Sequence, residues 1–151
     1  MSVGDICRRE VVTIGPQASL VEAAILMREK HVGMLVVAEP VPPGADRTVQ
    51  GVLTDRDIVT TVVGRDAEPG ALTVGDVMTR SPLLAGEDQA VAAVLRHMRD
   101  VGVRRIPVVG ARTQLVGVLS LDDILDGVAE QLTAISAAIR SEQGRERVLR
   151  P

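Results

Sequence analysis

The sequence predicts a mixed α/β (α+β) fold: two β-α-β-β-α repeats packed about a pseudo-two-fold axis. Three observations predict it. The stretch "VGDIC" at 3–7 returns as "VGDVM" at 74–78, and "GVLTDRDI" at 51–58 returns as "GVLSLDDI" at 117–124. Short apolar runs of β type alternate with apolar stripes of helical period. The 151 residues are one ordinary domain's worth, so each copy of about 60 residues buries too little surface to stand alone. The expected division is a first copy at 1–66, a linker at 67–73, a second copy at 74–127 and a C-terminal extension at 128–151.

In chain order, each copy opens on a short β segment, Val11–Ile14 or Pro82–Ala85. A helix follows. In the first copy Ser19 and Glu22 have the spacing of a capping box. Leu20, Ala23, Ala24 and Met27 then keep the i, i+3, i+4, i+7 pattern of a buried face, and Val91, Val94, Leu95 and Met98 repeat it. His31 aligns with Gly102 just past each helix, where a left-handed backbone cap is expected. Strands come next ("MLVVA" 34–38 and "RIPVV" 105–109), then a turn, then second strands ("VQGVL" 49–53 and "LVGVL" 115–119). The offset between copies is 71 up to Val37 and Val108 but 66 at "GVLTDRDI". The five extra residues fall in "AEPVPPGADRTVQ", whose prolines and glycines suit a long exposed loop. A second helix opens at Thr54 or Ser120. In the second copy it continues to about Arg140, with Ile124, Leu125, Val128, Leu132 and Ile135 on one stripe and Gly127 as a modest interruption. "SEQGRERVLRP" beyond it is polar and is expected to fray.

Composition excludes several classes. With 46% hydrophobic and 25% charged residues the chain is globular rather than disordered. No apolar run approaches the ~18 residues that a membrane span needs. "MSVGDICRRE" lacks the apolar core of a signal peptide, and the single Cys7 cannot close an intramolecular disulfide, so the expected compartment is the cytoplasm. The net charge of −3 and the absence of Phe, Tyr and Trp argue against nucleic acid and leave a planar ligand to be held between aliphatic side chains. No Cys, His, Asp or Glu cluster has metal-ligand spacing, and neither Cys7 nor His97 has the neighbours of a catalytic group. No metal, required cofactor or enzymatic activity is expected.

The repeated turn carries the chemistry. A strand ending in Thr or Ser and entering a helix leaves free N–H groups and a positive dipole end, a ready site for phosphate. A carboxylate three residues on can accept hydrogen bonds from vicinal ribose hydroxyls, as acidic residues do in dinucleotide folds. Thr54 with Asp57, and Ser120 with Asp123, therefore suggest a ribose-phosphate pocket. The same spacing is also that of a capping box with Asp in place of Glu. The flanks differ, since Arg56 stands where the second copy has Asp122, so unequal affinities are expected.

"VGDIC…VTIGPQASLVEAAILMREKHVGMLVV…GVLTDRDI" and "VGDVMTRSPLLAGEDQAVAAVLRHMRDVGVRRIPVV…GVLSLDDI" resemble, over residues 3 to 127, the paired cystathionine-β-synthase-type (CBS) domains that form a Bateman module. The resemblance implies a non-enzymatic regulatory module that binds adenine nucleotides such as AMP, ADP or ATP between its repeats. S-adenosylmethionine and NAD-type ligands are alternatives. By the same resemblance, Asp57 and Asp123 would hold the ribose hydroxyls, with Thr54 and Ser120 near ribose or phosphate. Val12, Thr13, Leu83 and Leu84, together with Val32, Gly33, Met34 and Val103, would enclose adenine. Arg104 and Arg105 border that pocket and join Arg56 as the phosphate candidates. Modules of this kind commonly form homodimers, and with no effector domain in the sequence the module would act on a separate protein. The reading from a different class is a structural dimerisation module with empty clefts.

Overall fold

The computed structural model of the chain describes residues 1–150. Two helices set the frame, and each is punctuated as its sequence dictates. In α2 (Leu20–Lys30) the Ser19 N–H donates to Glu22 Oε2 at 2.7 Å, and the Glu22 N–H donates to Ser19 Oγ at 3.1 Å. His31 ends α2 with φ 55°, and Gly102 ends α5 (Val91–Val101) with φ 77°. Both helices bury the expected stripe, Leu20, Ala23 and Met27 in one and Val91, Val94 and Met98 in the other. Ala24 and Leu95, beside that stripe, are exposed.

The helices cover two small sheets of like topology. In the first, β1 (Thr13–Ile14) runs parallel to β2 (Met34–Val37), which pairs antiparallel with β3 (Gly51–Thr54) and through it with β4 (Thr79–Arg80). In the second, β5 (Ala85–Gly86) runs parallel to β6 (Arg105–Val109), which pairs antiparallel with β7 (Leu115–Ser120). The opening strands are shorter than the apolar runs at 11–14 and 82–85, since only two residues of each reach a ladder partner. The extended segments before them serve as cleft walls instead.

Two elements were not anticipated as helices: α1 (Val3–Ile6) and α4 (Val74–Val77). Their signal was present, because Ser2 with Asp5 and Thr73 with Asp76 are again hydroxyl-x-x-Asp pairs. The Ser2 N–H donates to Asp5 at 2.7 Å and the Thr73 N–H to Asp76 at 2.8 Å. Each turn packs on the opposite copy. Val3 and Gly4 donate to the carbonyls of Gln89 and Glu87 at 2.9 and 2.7 Å, while Val74 and Gly75 donate to Ala18 and Pro16 at 2.7 and 2.8 Å. Arg8 then bridges Val118 of β7, as Thr79 of β4 pairs with Val52 of β3. The leading segments of the two copies are traded.

The cores record the trade. Leu20, Ala23, Met27, Leu35, Val37 and Leu53 close around Val74. Val91, Val94, Met98, Ile106, Val108, Leu119 and Ile124 close around Val3. Burying each Leu, Val, Ile or Met among them contributes roughly 1.5–3 kcal/mol, and aliphatic packing alone fills both centres. Cys7, half-buried, packs beside the second core as a free thiol.

The loop at 39–50 is exposed as expected, and it also ties the copies together. The Leu115 N–H donates to the Arg47 carbonyl at 2.7 Å, and Asp46 pairs with Arg112 at 3.1 Å. The last helix, α6, runs from Leu121 to Leu149 instead of fraying beyond Arg140. Residues 141–149 are mostly good helix formers. Gly144 meets no neighbour, so its cost is backbone entropy alone, about 1 kcal/mol. Among the described residues no helix is long and apolar enough to cross a membrane.

Candidate functional site

The two strand-to-helix turns are both capping boxes, and both open onto a cleft between the copies. At the first, α3 (Asp55–Val62) begins where the Thr54 N–H donates to Asp57 Oδ2 at 2.8 Å and the Asp57 N–H donates to Thr54 Oγ1 at 3.1 Å. At the second, Ser120 N–H donates to Asp123 Oδ2 at 2.9 Å and Asp123 N–H to Ser120 Oγ at 3.1 Å. Capping occupies only Oδ2 of each carboxylate. The fate of Oδ1 separates the two sites.

In the second cleft, Oδ1 of Asp123 is taken. Arg8, on the traded segment, donates from Nε at 2.7 Å, its side chain 71% exposed and the carboxylate only 7%. Burial pushes Asp123 upward, but hydrogen bonds from Ser120 and Arg8 outweigh it and hold the group below its ordinary value. Among the described residues no donor reaches Oδ1 of Asp57, which is half-buried and faces its cleft.

The walls cross between copies. Asp57, Thr54 and Arg56 face Leu83, Val103, Arg104 and Arg105 of the second copy across a cleft of about 430 Å³. Asp123 and Ser120 face Val12, Val32, Gly33 and Met34 of the first copy across a cleft of about 180 Å³. Gly33, Met34 and Arg105 line both. Thr13 and Leu84 line neither: Thr13 Oγ1 accepts from Arg47 at 3.2 Å, and Leu84 points outward. Ligand pockets commonly run about 300–1,000 Å³, which favours the Asp57 cleft.

Charge separates the clefts further. Three guanidiniums, Arg56, Arg104 and Arg105, line the Asp57 cleft against the carboxylates of Asp55 and Asp57. The Asp123 cleft sets Arg8 and Arg105 against Glu10, Asp122 and Asp123. Arg8 and Glu10 escaped sequence reasoning. They align with Thr79 and Ser81, so the repeat marked the positions but not their chemistry. Among the described residues no cluster of three metal-ligating side chains occurs. Burial, before all else, raises the Cys7 thiol above its ordinary value, opposite to what an activated nucleophile needs.

The CBS domain family model matches residues 3–64 and 74–130, the two copies in turn. The chain belongs to the CBS domain family. It is 34% identical over 125 residues to the uncharacterized protein MK0525 of Methanopyrus kandleri, covering 83% of this chain and 61% of that relative's length. It is 33% identical over 125 residues to the CBS domain-containing protein YhcV of Bacillus subtilis, covering 82% of each. Among solved structures, CBSX2 in complex with AMP superposes with a TM-score of 0.69 at 25% identity, over 85% of this chain and 96% of that one. CBS pairs are thus this chain's relatives in sequence and in fold, and its two clefts lie between its two CBS domains.

Proposed function

We propose that this CBS pair is a non-enzymatic regulatory module of the cytoplasm that binds an adenine nucleotide of the AMP, ADP or ATP type in the Asp57 cleft. One observation carries the reading: three guanidiniums line the cleft onto which Asp57 presents a carboxylate with one oxygen unengaged. Arginine matches phosphate bidentately, and Asp57 Oδ1 accepts from the ribose hydroxyls; the first-turn N–H groups of α3 are already engaged by Asp57, Gly33, Asp55 and Thr54. Leu83, Val103 and Met34 supply the aliphatic slot for adenine. The AMP held by CBSX2 supports the ligand class. Three guanidiniums disfavour the sulfonium cation of S-adenosylmethionine, while NAD, with its pyrophosphate, is the larger alternative. The free Cys7 suits a reducing compartment.

The module works as a homodimer and modulates a separate effector protein. Ligand binding changes that partner's affinity only if one conformation binds nucleotide better than another. The Arg8–Asp123 pair favours a second reading for the smaller cleft, a structural contact that stays empty.

Thermal shift with AMP, ADP, ATP, S-adenosylmethionine and NADH tests the proposal. A nucleotide at 100 times its dissociation constant stabilises by about 2.7 kcal/mol. Asp57→Ala is expected to abolish that shift and Asp123→Ala to leave most of it. With neither Trp nor Tyr in the chain, a co-purified nucleotide would dominate the near-ultraviolet spectrum. No shift with any ligand, and no bound chromophore, would sink the proposal.

A further inference from the structure

One pair of equivalent positions decides which cleft can receive a ligand. Arg8 and Thr79 correspond in the two copies. Each lies where a traded segment crosses a strand: Arg8 bridges Val118 of β7, and Thr79 pairs with Val52 of β3. The Arg8 carbonyl passes over Gly117 as the Thr79 carbonyl passes over Gly51, so the two backbones match. The side chains do not. Arg8 Nε donates to Asp123 Oδ1 at 2.7 Å, whereas Thr79 lines the other cleft without a bond to Asp57.

An arginine N–H and a ribose hydroxyl are donors competing for the same carboxylate oxygen. At Asp123 the arginine holds the advantage. Its bond is charge-assisted, and the carboxylate that it satisfies is only 7% exposed. Glu10 and Asp122 line the same cleft. A neutral diol that displaced Arg8 would leave three carboxylates with Arg105 as the one guanidinium beside them, and the buried Asp123 without its cation.

We infer that Arg8 is a built-in stopper, an arginine that takes the place of a ribose diol on Asp123 and leaves the Asp57 cleft, where Thr79 stands instead, as the one open site. For that comparison the inference rests on the nucleotide reading of the Asp57 cleft, and it goes beyond it in naming what closes its twin. The same charges fix what a freed Asp123 cleft accepts. Three carboxylates against one guanidinium repel phosphate, so the ligand class is an uncharged nucleoside. Its diol sits on Asp123 Oδ1, and its base lies against Val12, Val32 and Met34.

Calorimetric titration of the full chain with adenosine, which carries the diol and no phosphate, tests this. Asp57→Ala silences the first cleft. That variant is expected to bind no adenosine, Asp57→Ala/Arg8→Thr to bind one per chain, and Asp57→Ala/Arg8→Thr/Asp123→Ala to bind none. Threonine keeps the backbone bridge to Val118, as Thr79 keeps its own pairing with Val52, so the fold survives the exchange. Adenosine bound equally with and without Arg8 would mean that ligand simply displaces it. No binding to Asp57→Ala/Arg8→Thr would mean that something else closes the cleft. Either result overturns the stopper. AMP binding Asp57→Ala/Arg8→Thr as tightly as adenosine would overturn the ligand class. None of these outcomes involves the Asp57 cleft, whose nucleotide reading fails separately if the wild type does not bind AMP. The converse variant transplants the stopper: Thr79→Arg, in an otherwise intact chain, is expected to lose AMP binding. Retained binding would overturn the equivalence of the two positions, and where the wild type binds no AMP the adenosine series decides alone.

Discussion

Asp123 and Asp57 occupy equivalent positions yet stand in different company, and the difference is Arg8. Without Arg8, burial weighs more heavily on Asp123, whose value is now held down by Ser120 and Arg8 together. A carboxylate depressed in the folded state lends stability that is fully present above its ordinary value, about 3.9, and is lost as pH falls through the folded one. Arg8→Ala raises the folded value, so acid destabilisation is expected to begin at higher pH, with a loss near neutrality of only about 0.2–1 kcal/mol because Arg8 is largely exposed. Urea midpoints for both proteins from pH 3 to 7 measure this, and superimposable profiles would refute it. Asp5, Glu22 and Asp76, held low foremost by capped backbone N–H groups, set a background of the same sign in both proteins. The two aspartates were legible in the sequence because duplication displayed them twice. Arg8 was not, because an arginine aligned with Thr79 carries no pattern.

Among the elements, the glycine that opens each repeated turn now has a reason. A Cβ on Gly51 would lie 2.7 Å from the Thr79 carbonyl, and one on Gly117 would lie 2.8 Å from the Arg8 carbonyl. In both cases the obstacle is backbone of the traded segment crossing β3 or β7. Gly117→Ala must therefore push the Cys7–Arg8 segment off β7, an overpacking cost of roughly 1–3 kcal/mol. Chemical denaturation should show that loss. Gly70→Ala, where nothing lies within 4 Å, is the matched control and should be near neutral. Helices and central strands were readable because apolar period and caps coincide in them. The two-residue strands were not, since their ends depend on which partner residues the sheet presents. The close passage over Gly51 and Gly117 was likewise invisible, being a contact between segments remote in sequence.

For the molecule as a whole, duplication predicted two units and the pseudo-two-fold pairing of their clefts. It could not predict the exchange, because Val3 and Val74 look alike and either core would accept either. The volumes and charges of the clefts likewise emerge only when walls from different copies meet. The trade has a consequence for how the chain comes apart. The stretch from Gly64 to Asp66 is exposed and lies between the copies, where a protease can cut. Each fragment of such a nicked chain would keep a plug seated in the other: Val3 in one direction, Val74 in the return. Limited proteolysis there should yield two bands on a denaturing gel and a single species on a sizing column, and early separation of the fragments would contradict the exchange. Cleavage would make the protein a complemented pair, held like two clasped hands with no remaining covalent link.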